Sequence, residues 1–280
     1  MTRTSAAISP TAHYTGYTWF DHGLSHPALV TPIGRWLYDG LRPLNALFRA
    51  TGRPTLPGFL LARHRAMDQL LDAAIEEGRV TQVIEIAAGL SPRGWDFKRR
   101  HGARLRYIEA DLPKMAEHKL RRLERGGLLS PGHRVATLDA LADEGPQSLA
   151  ALATKLDPTQ GLAIVTEGLL NYFDRAAVEG MWRRFAGVLG QFPQGLYLSD
   201  LHLGEANRSV ATQAFSAVLS GFVRGRVHLH FDAAAEAEAA LQAAGLPGAQ
   251  LHDPRQLLSP AAAGPGAELV RVVEVRTRRR

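Results

Sequence analysis

Three acids stand where apolar runs stop. Glu85 lies in Val83-Ile84-Glu85-Ile86, just before the small-residue bend Ala87-Ala88-Gly89. Asp111 closes Tyr107-Ile108-Glu109-Ala110-Asp111, and Glu167 follows Leu162-Ala163-Ile164-Val165-Thr166. A carboxylate at the mouth of an almost wholly apolar strand is costly to bury alone, so Glu167 calls for a partner. The bend has too few glycines to turn under a pyrophosphate as a G-x-G-x-x-G loop does. A nucleoside without phosphates asks less of it, namely small side chains, with Gly89 free to take a positive φ or a close backbone approach. Asp111 can then hold two ribose hydroxyls through its two oxygens, or it can cap the helix that opens at Pro113.

Other groups suit an acceptor. His202, with Asp200 beside it, ends the fifth apolar run, where it can serve as base for a neutral hydroxyl or fill a core or capping role. Tyr14, Tyr17, Trp19 and Phe20 can form an aromatic lid over a flat ligand or simply close the core. Arg224, Arg226, His228 and His230 recur at period two, so an extended chain turns all four to one side, toward an acidic acceptor or toward solvent. His228 and His230 lack a carboxylate partner in sequence, and with no cysteine there is neither thiolate ligand nor disulfide; no metal is expected.

The elements that must position these groups are legible from period and punctuation. Leu60, Leu61, Met67, Leu70, Leu71, Ala74 and Ile75 follow a helical spacing that stops at Gly78. Strands are then predicted at 80–87, 105–112, 134–139, 161–170 and 195–202, separated by amphipathic helices, the signature of βαβ units on a parallel sheet covered on both faces. A long helical stretch at 205–222, a strand or extended loop at 223–231, a helix at 232–246 and a last strand at 269–277 complete a mixed, mostly parallel seven-stranded sheet. Residues 1–60 read as short helices and loops forming an N-terminal lid on the 61–280 body, which carries an insertion around 203–232; 259–268 reads as a flexible turn.

In this order, IEIAAGLSPRGWDF, YIEADLPKMAEHK, TLDAL and TEGLLNYF resemble successive motifs of the class I S-adenosylmethionine-dependent methyltransferases of the leucine carboxyl methyltransferase group, which includes bacterial O-methyltransferases of polyketide biosynthesis. The likeness runs from about Ala62 to His202. It implies a Rossmann-like α/β fold and S-adenosylmethionine as cofactor. Glu85 stands in the first of these motifs. Arg63 would meet the methionine carboxylate, a planar match for a guanidinium. Ala87 and Gly89 take the places of loop glycines, Ala87 with a methyl group that narrows the approach. Asp111 would hold the ribose, Leu138 and Asp139 the adenine edge, and Glu167 would sit beside the cofactor; several acids around one pocket suit a cationic sulfonium. Arg63 can instead be a surface ion-pair residue, and Asp139 a helix cap. The implied reaction is O-methylation of a small carboxylate, phenol or hydroxyl in secondary metabolism, and a strong base is unnecessary for an ionised acceptor. A nucleoside-binding module without turnover is the other reading. An NAD(P)-dependent reductase is opposed by the missing glycines and by the lack of a Tyr-x-x-x-Lys pair.

The formal charge of +6 raises the question of nucleic acid. Much of it is terminal, at Arg276 and Arg278 to Arg280, or local, at Lys98, Arg99, Arg100, Arg104 and Arg106; without aromatic interleaving, no nucleic-acid partner is expected. No apolar run approaches the roughly 18–20 residues of a membrane span, and the N-terminus lacks a signal-peptide core, so a cytoplasmic chain without a membrane partner is expected.

Overall fold

Strands form where Val, Ile and Leu crowd the chain, and their two faces bury different helices. The computed structural model describes residues 10–205 and 228–279. Among them, β1 (Gln82–Ile86), β2 (Arg106–Asp111), β3 (His133–Thr137), β4 (Leu162–Thr166), β5 (Gln194–Leu201), β6 (Gln250–His252) and β7 (Arg271–Arg278) form one sheet in the order β3-β2-β1-β4-β5-β7-β6. The first five pair in parallel, β7 enters antiparallel to β5, and β6 pairs antiparallel with β7. This is the mixed, mostly parallel Rossmann-like sheet that the alternation predicts.

Three helices precede the sheet: α1 (Pro10–Asp21), α2 (Pro32–Ala50) and α3 (Leu56–Glu76). Two of them start alike, with Thr31 and Thr55 accepting the Gly34 and Gly58 amides and a proline in the first turn. With α4 (Arg93–His101) and α5 (Pro113–Arg125), α3 covers one face, where Val83, Tyr107, Val165 and Leu198 meet Met67, Leu71 and Phe97. On the other face Ile84, Ile108, Ile164 and Tyr197 meet α6 (Leu149–Ala153), α7 (Arg175–Leu189) and α8 (Ala234–Ala243). Side chains alternate along a strand. Continuing from Val83, Tyr107 and Leu198 by one pleat therefore places Glu85, Glu109 and Asp200 on the α3 to α5 side, at the carboxyl ends of their strands.

The chain departs from its sequence pattern at the sheet edge, in 259–268 and in the N-terminal part. The 205–222 helical stretch lies almost wholly outside the described residues, as do Val223–Val227; the remainder of the strand predicted at 223–231 makes only an isolated bridge, Leu203 with Phe231. The edge strand is instead Gln250–His252, too short for alternation to reveal. The segment 259–268 is packed: it holds a short helix at Pro260–Ala263, and a Cβ added to Gly58 would lie 2.1 Å from the Pro265 carbonyl oxygen. The N-terminal part contains one long helix, α2, of 19 residues. No helix among the described residues is long and apolar enough to cross a membrane.

Trp182 is fully buried, stacks on Phe231 and donates its indole N–H to Tyr197 Oη at 3.2 Å. Trp182→Ala is expected to cost about 3–5 kcal/mol, read as a lower urea midpoint with an unchanged slope.

Candidate functional site

The strand order reverses between β1 and β4, and open parallel sheets bind ligands outside the carboxyl ends of their strands at such a point. A cavity of about 520 Å³ lies there, within the range of small-molecule sites. It is lined by the bend after β1, by Asp111 to Met115 after β2, by Glu167 to Leu169 and Tyr172 after β4, and by Arg63 of α3. Thr11, Ala12, Thr15 and Trp19 of α1 close it.

The bend is strained and held from several sides. Ala87 has φ 55°, the sole positive φ of a non-glycine among the described residues, and Gly89 has φ 49°. The left-handed region costs a residue with a Cβ about 1–2 kcal/mol. Opposing that strain, the Ala88 amide donates to the Ala110 carbonyl at 3.2 Å and the Gly89 amide to Asp111 Oδ2 at 2.8 Å. From below, the buried Lys119 ammonium donates to the Ala88 carbonyl at 3.3 Å while paired with Glu109. Glu109 also meets His133 Nε2 at 2.7 Å. Gly94 leaves room for that pair, since a Cβ there would lie 2.2 Å from Glu109 Oε1.

Asp111 accepts the Leu112 amide through Oδ1 at 2.7 Å. The cap position of α5 is Leu112, without a side-chain hydrogen bond, so Asp111 is not the conventional helix cap. Burial pushes its carboxyl above the usual range, against the two amide hydrogen bonds that lower it. Asp111 lines the cavity, and each carboxylate oxygen can accept a further hydrogen bond.

Beneath the cavity runs a buried ionic network. Arg63 Nε donates to Glu167 Oε1 at 3.0 Å and its Nη1 to Asp200 Oδ2 at 2.9 Å. Arg93 Nη2 donates to Glu167 Oε2 at 2.7 Å, its Nη1 to Glu85 Oε1 at 2.6 Å, and its Nε to Asp68. Tyr107 donates its hydroxyl to the other Glu85 oxygen at 2.9 Å. His64 Nδ1 lies 2.8 Å from Glu167 Oε2, and its ring packs 4.7 Å from that of Trp19. Burial alone would raise the Glu167 carboxyl, but His64, Arg93 and Arg63 hold it far below the usual range. Asp200 is lowered in the same way, burial being overcome by Arg63 and His202. Two guanidinium groups, Arg63 and Arg93, face four carboxylates, Asp68, Glu85, Glu167 and Asp200. With Asp111 added, the excess of negative charge favours a cationic ligand. Arg63 Nη2, close to Gly168 on the cavity wall, has no hydrogen-bond partner among the described residues and suits the carboxylate of such a ligand.

Of the residues singled out from sequence, Arg63, Glu85, Ala87, Gly89, Asp111, Glu167 and Trp19 meet at the cavity. The others are placed elsewhere. Leu138 packs in the core, and Asp139 accepts the Leu141 amide in a turn. Tyr14 is buried in a cluster with Leu56 and Phe59, and Tyr17 packs on Tyr38 and Phe20. The cavity takes positions 11, 12, 15 and 19 of α1, one stripe of its period, which leaves Tyr14 and Tyr17 on other faces. His202 stacks on Phe59 with Nδ1 3.3 Å from the Leu269 carbonyl and Nε2 3.6 Å from Asp200 Oδ2; it does not line the cavity but stands behind Asp200, which bonds Arg63 and the Gly168 amide of the wall. His228 bonds through its backbone to Asn171, and its ring stacks on His230. Arg224 and Arg226 lie outside the described residues. Sequence reasoning missed Arg93, His64, Tyr172 and Lys119. Arg93 and Lys119 stand inside the quoted motifs, but nothing in their spacing distinguishes a buried cation from a solvated one.

A family model described as leucine carboxyl methyltransferase matches residues 28–186 of the chain. A curated protein of Mycobacterium leprae, provisionally named an S-adenosyl-L-methionine-dependent methyltransferase, is 34% identical over 121 residues, 43% of this chain and 38% of that protein. The match thus spans well under half the length of this relative. Among solved structures, a DUF574 family protein from Streptomyces avermitilis has a TM-score of 0.62 at 16% identity, covering 96% of this chain and 97% of that one. A provisionally assigned methyltransferase from Thermobifida fusca also reaches 0.62, at 13% identity over 96% and 95% of the two chains. These two likenesses concern the fold.

Two outcomes are expected. Ala87→Gly relieves the left-handed strain at the smaller entropic cost of a glycine, raising stability by up to about 1 kcal/mol in urea denaturation. Glu167 and Asp200 have depressed native pKa values, so their stabilisation is complete above the unfolded range near 4 and is lost as pH falls toward the native values. Unfolding free energies from urea titrations between pH 6 and 3 should fall, below the unfolded range, by up to about 1.4 kcal/mol per pH unit for each group; Glu167→Gln starts less stable and shows a shallower acid slope.

Proposed function

This chain belongs to the leucine carboxyl methyltransferase family, and we propose that it transfers a methyl group from S-adenosylmethionine, its cofactor, to an oxygen of a small-molecule acceptor. The observation that carries the reading is the cavity itself: at the switch point, Glu85, Asp111 and Glu167 converge with one guanidinium, Arg63, whose Nη2 has no hydrogen-bond partner among the described residues. A nucleoside bearing a sulfonium, an ammonium and one carboxylate has the complementary charge.

In this reading Asp111 grips the ribose diol, with the oxygens that already orient Gly89 and Leu112. Arg63 receives the amino-acid carboxylate, its position fixed by Glu167 and Asp200. The acid excess below favours the cationic groups, and Ala87, Ala88 and Gly89 let the adenosine lie against the backbone. When bound, the cofactor supplies a methyl carbon already activated for in-line displacement. The chain's task is then to align the acceptor oxygen and to exclude water. Closure by α1 supports that role. Thr15, Trp19 and Tyr172 on the remaining walls suit a small, flat acceptor, a carboxylate, phenol or hydroxyl of the kind made in polyketide-type secondary metabolism. His202 does not line the cavity, in keeping with an acceptor that arrives ionised and needs no strong base.

Titration calorimetry is expected to detect binding of S-adenosylmethionine and its demethylated product and none of NADPH. Asp111→Ala should weaken binding at least about tenfold, the loss of a charge-assisted hydrogen-bond pair worth about 1.4 kcal/mol or more. Mass spectrometry of reactions with small aromatic acids and phenols tests the acceptor class. Absence of binding by either sulfur nucleoside would overturn the proposal, and methylation of nitrogen or carbon acceptors alone would overturn its oxygen specificity.

A further inference from the structure

A second cavity, of about 470 Å³, opens where α5 meets the short turn at Pro27–Leu29. Its walls are Pro27, Ala28, His118, Arg121, Arg122 and Arg125, none of them acidic and none shared with the cavity at the switch point. The four basic residues recur at i, i+3, i+4 and i+7, a single stripe of α5. Like charges so spaced repel and weaken a helix. The helix dipole favours cations in the last turn, which suits Arg122 and Arg125 but leaves His118 and Arg121 without that reason.

The stripe is held in place and left uncompensated. Arg122 Nη1 donates to the Ala28 and Val30 carbonyls at 2.9 and 2.7 Å, and its Nε to His118 Nε2 at 2.9 Å. Accepting that bond requires an unprotonated His118 nitrogen, and burial together with Arg122, Arg121 and Arg125 lowers the His118 pKa accordingly. His13, 2.8 Å from Thr31 Oγ1, feels the same field, lowered by burial and then by His118 and Arg122. Among the described residues the one acid paired with the stripe is Glu117, 3.2 Å from Arg121, with both side chains exposed. Arg125 has no ion-pair or hydrogen-bond partner among them. Three guanidinium groups therefore share one solvated carboxylate. A single carboxylate ligand would balance one more of them, whereas a tetrahedral dianion offers several oxygens to several guanidinium groups, each able to donate two parallel hydrogen bonds.

We infer that this basic cavity between α5 and the Pro27–Leu29 turn binds the phosphate group of a small molecule, with Arg122 as its fixed centre and Arg121 and Arg125 as the exposed arms that close on the anion. The site is independent of the methyl-donor reading. Arg122 also ties the turn to α5 through the two carbonyls, so its replacement would disturb packing as well as charge; the exposed Arg121 and Arg125 report on the anion alone.

Inorganic phosphate and pyrophosphate are the probes. Titration calorimetry in chloride buffer at constant ionic strength should show saturable binding, with Kd about 1 mM for phosphate and at least about tenfold lower for the more highly charged pyrophosphate. Phosphate at about ten times its Kd should raise Tm by about 2–4 °C. Arg125→Gln, an exposed change expected to keep wild-type stability, should weaken pyrophosphate binding at least about fivefold, and Arg121→Gln with Arg125→Gln further still. Both variants should bind S-adenosylmethionine as the unmodified protein does, and because the phosphate titrations contain no methyl donor, either reading can fail without the other. No saturable uptake of pyrophosphate at about 10 mM, weaker than the weakest binding expected here, overturns the inference. So does equal binding by the unmodified protein and the double variant, or binding of a long polyanion such as heparin with none of either phosphate.

Discussion

Glu167 lies at the end of β4 with a side chain only 5% exposed, and the site stands because three cationic or hydrogen-bonding side chains meet it there. An ionised carboxylate so placed without partners would cost several kcal/mol. Arg63 takes one of its oxygens, and Arg93 and His64 take the other. Each arginine then spends its other arm on a different acid, Asp200 from β5 or Glu85 from β1. One carboxylate thereby ties three strands and two helices together at the carboxyl end of the sheet. The charges are fixed before any ligand arrives, and in a water-poor site such fixed charge acts more strongly than it would in bulk water.

The bend after β1 depends on the same economy of partners. Its Ala87 adopts a backbone conformation that glycine would take more easily, and the surrounding hydrogen bonds over-determine it. Asp111 serves two ends at once, holding the Gly89 amide while facing the cavity. Lys119, buried beneath, fixes the Ala88 carbonyl and is itself balanced by Glu109. The ion pair needs Gly94, whose missing side chain leaves space for the Glu109 carboxylate. The bend's shape is therefore set in part by residues that do not line the cavity, Lys119, Glu109 and Gly94.

Above the bend, the N-terminal helices divide their faces between separate tasks. The stripe of α1 that includes Thr15 and Trp19 closes the cavity, and Gly16 brings the helix against Leu90. Its other side anchors α2 through Tyr14, which receives a hydrogen bond from Asn45. On its outward side α2 leaves Ile33, Trp36 and Leu47 exposed.

The sequence by itself determined the five parallel strands and the last antiparallel one, but not the short edge strand β6. Alternating Val, Ile and Leu runs define the strands because a buried strand must be apolar on both faces, and small residues after the first of them mark a bend that a backbone-hugging ligand can approach. Glu167 was legible because an acid that ends an apolar run cannot be left without partners, and Asp111 because it closes the second strand, where a carboxylate can reach a ribose. Tertiary structure alone decided who those partners are. Arg93 and Lys119 look like any cations on amphipathic helices until packing buries them, and Tyr14 and Tyr17 look as suited to a lid as Trp19 until the helical period turns them away. His202 ends an apolar run as Glu167 does, yet its ring packs on Phe59 because α3 crosses there. Local pattern records which residues must be buried, whereas the choice among burial sites is made by segments distant in the chain that reach the same place only when it folds.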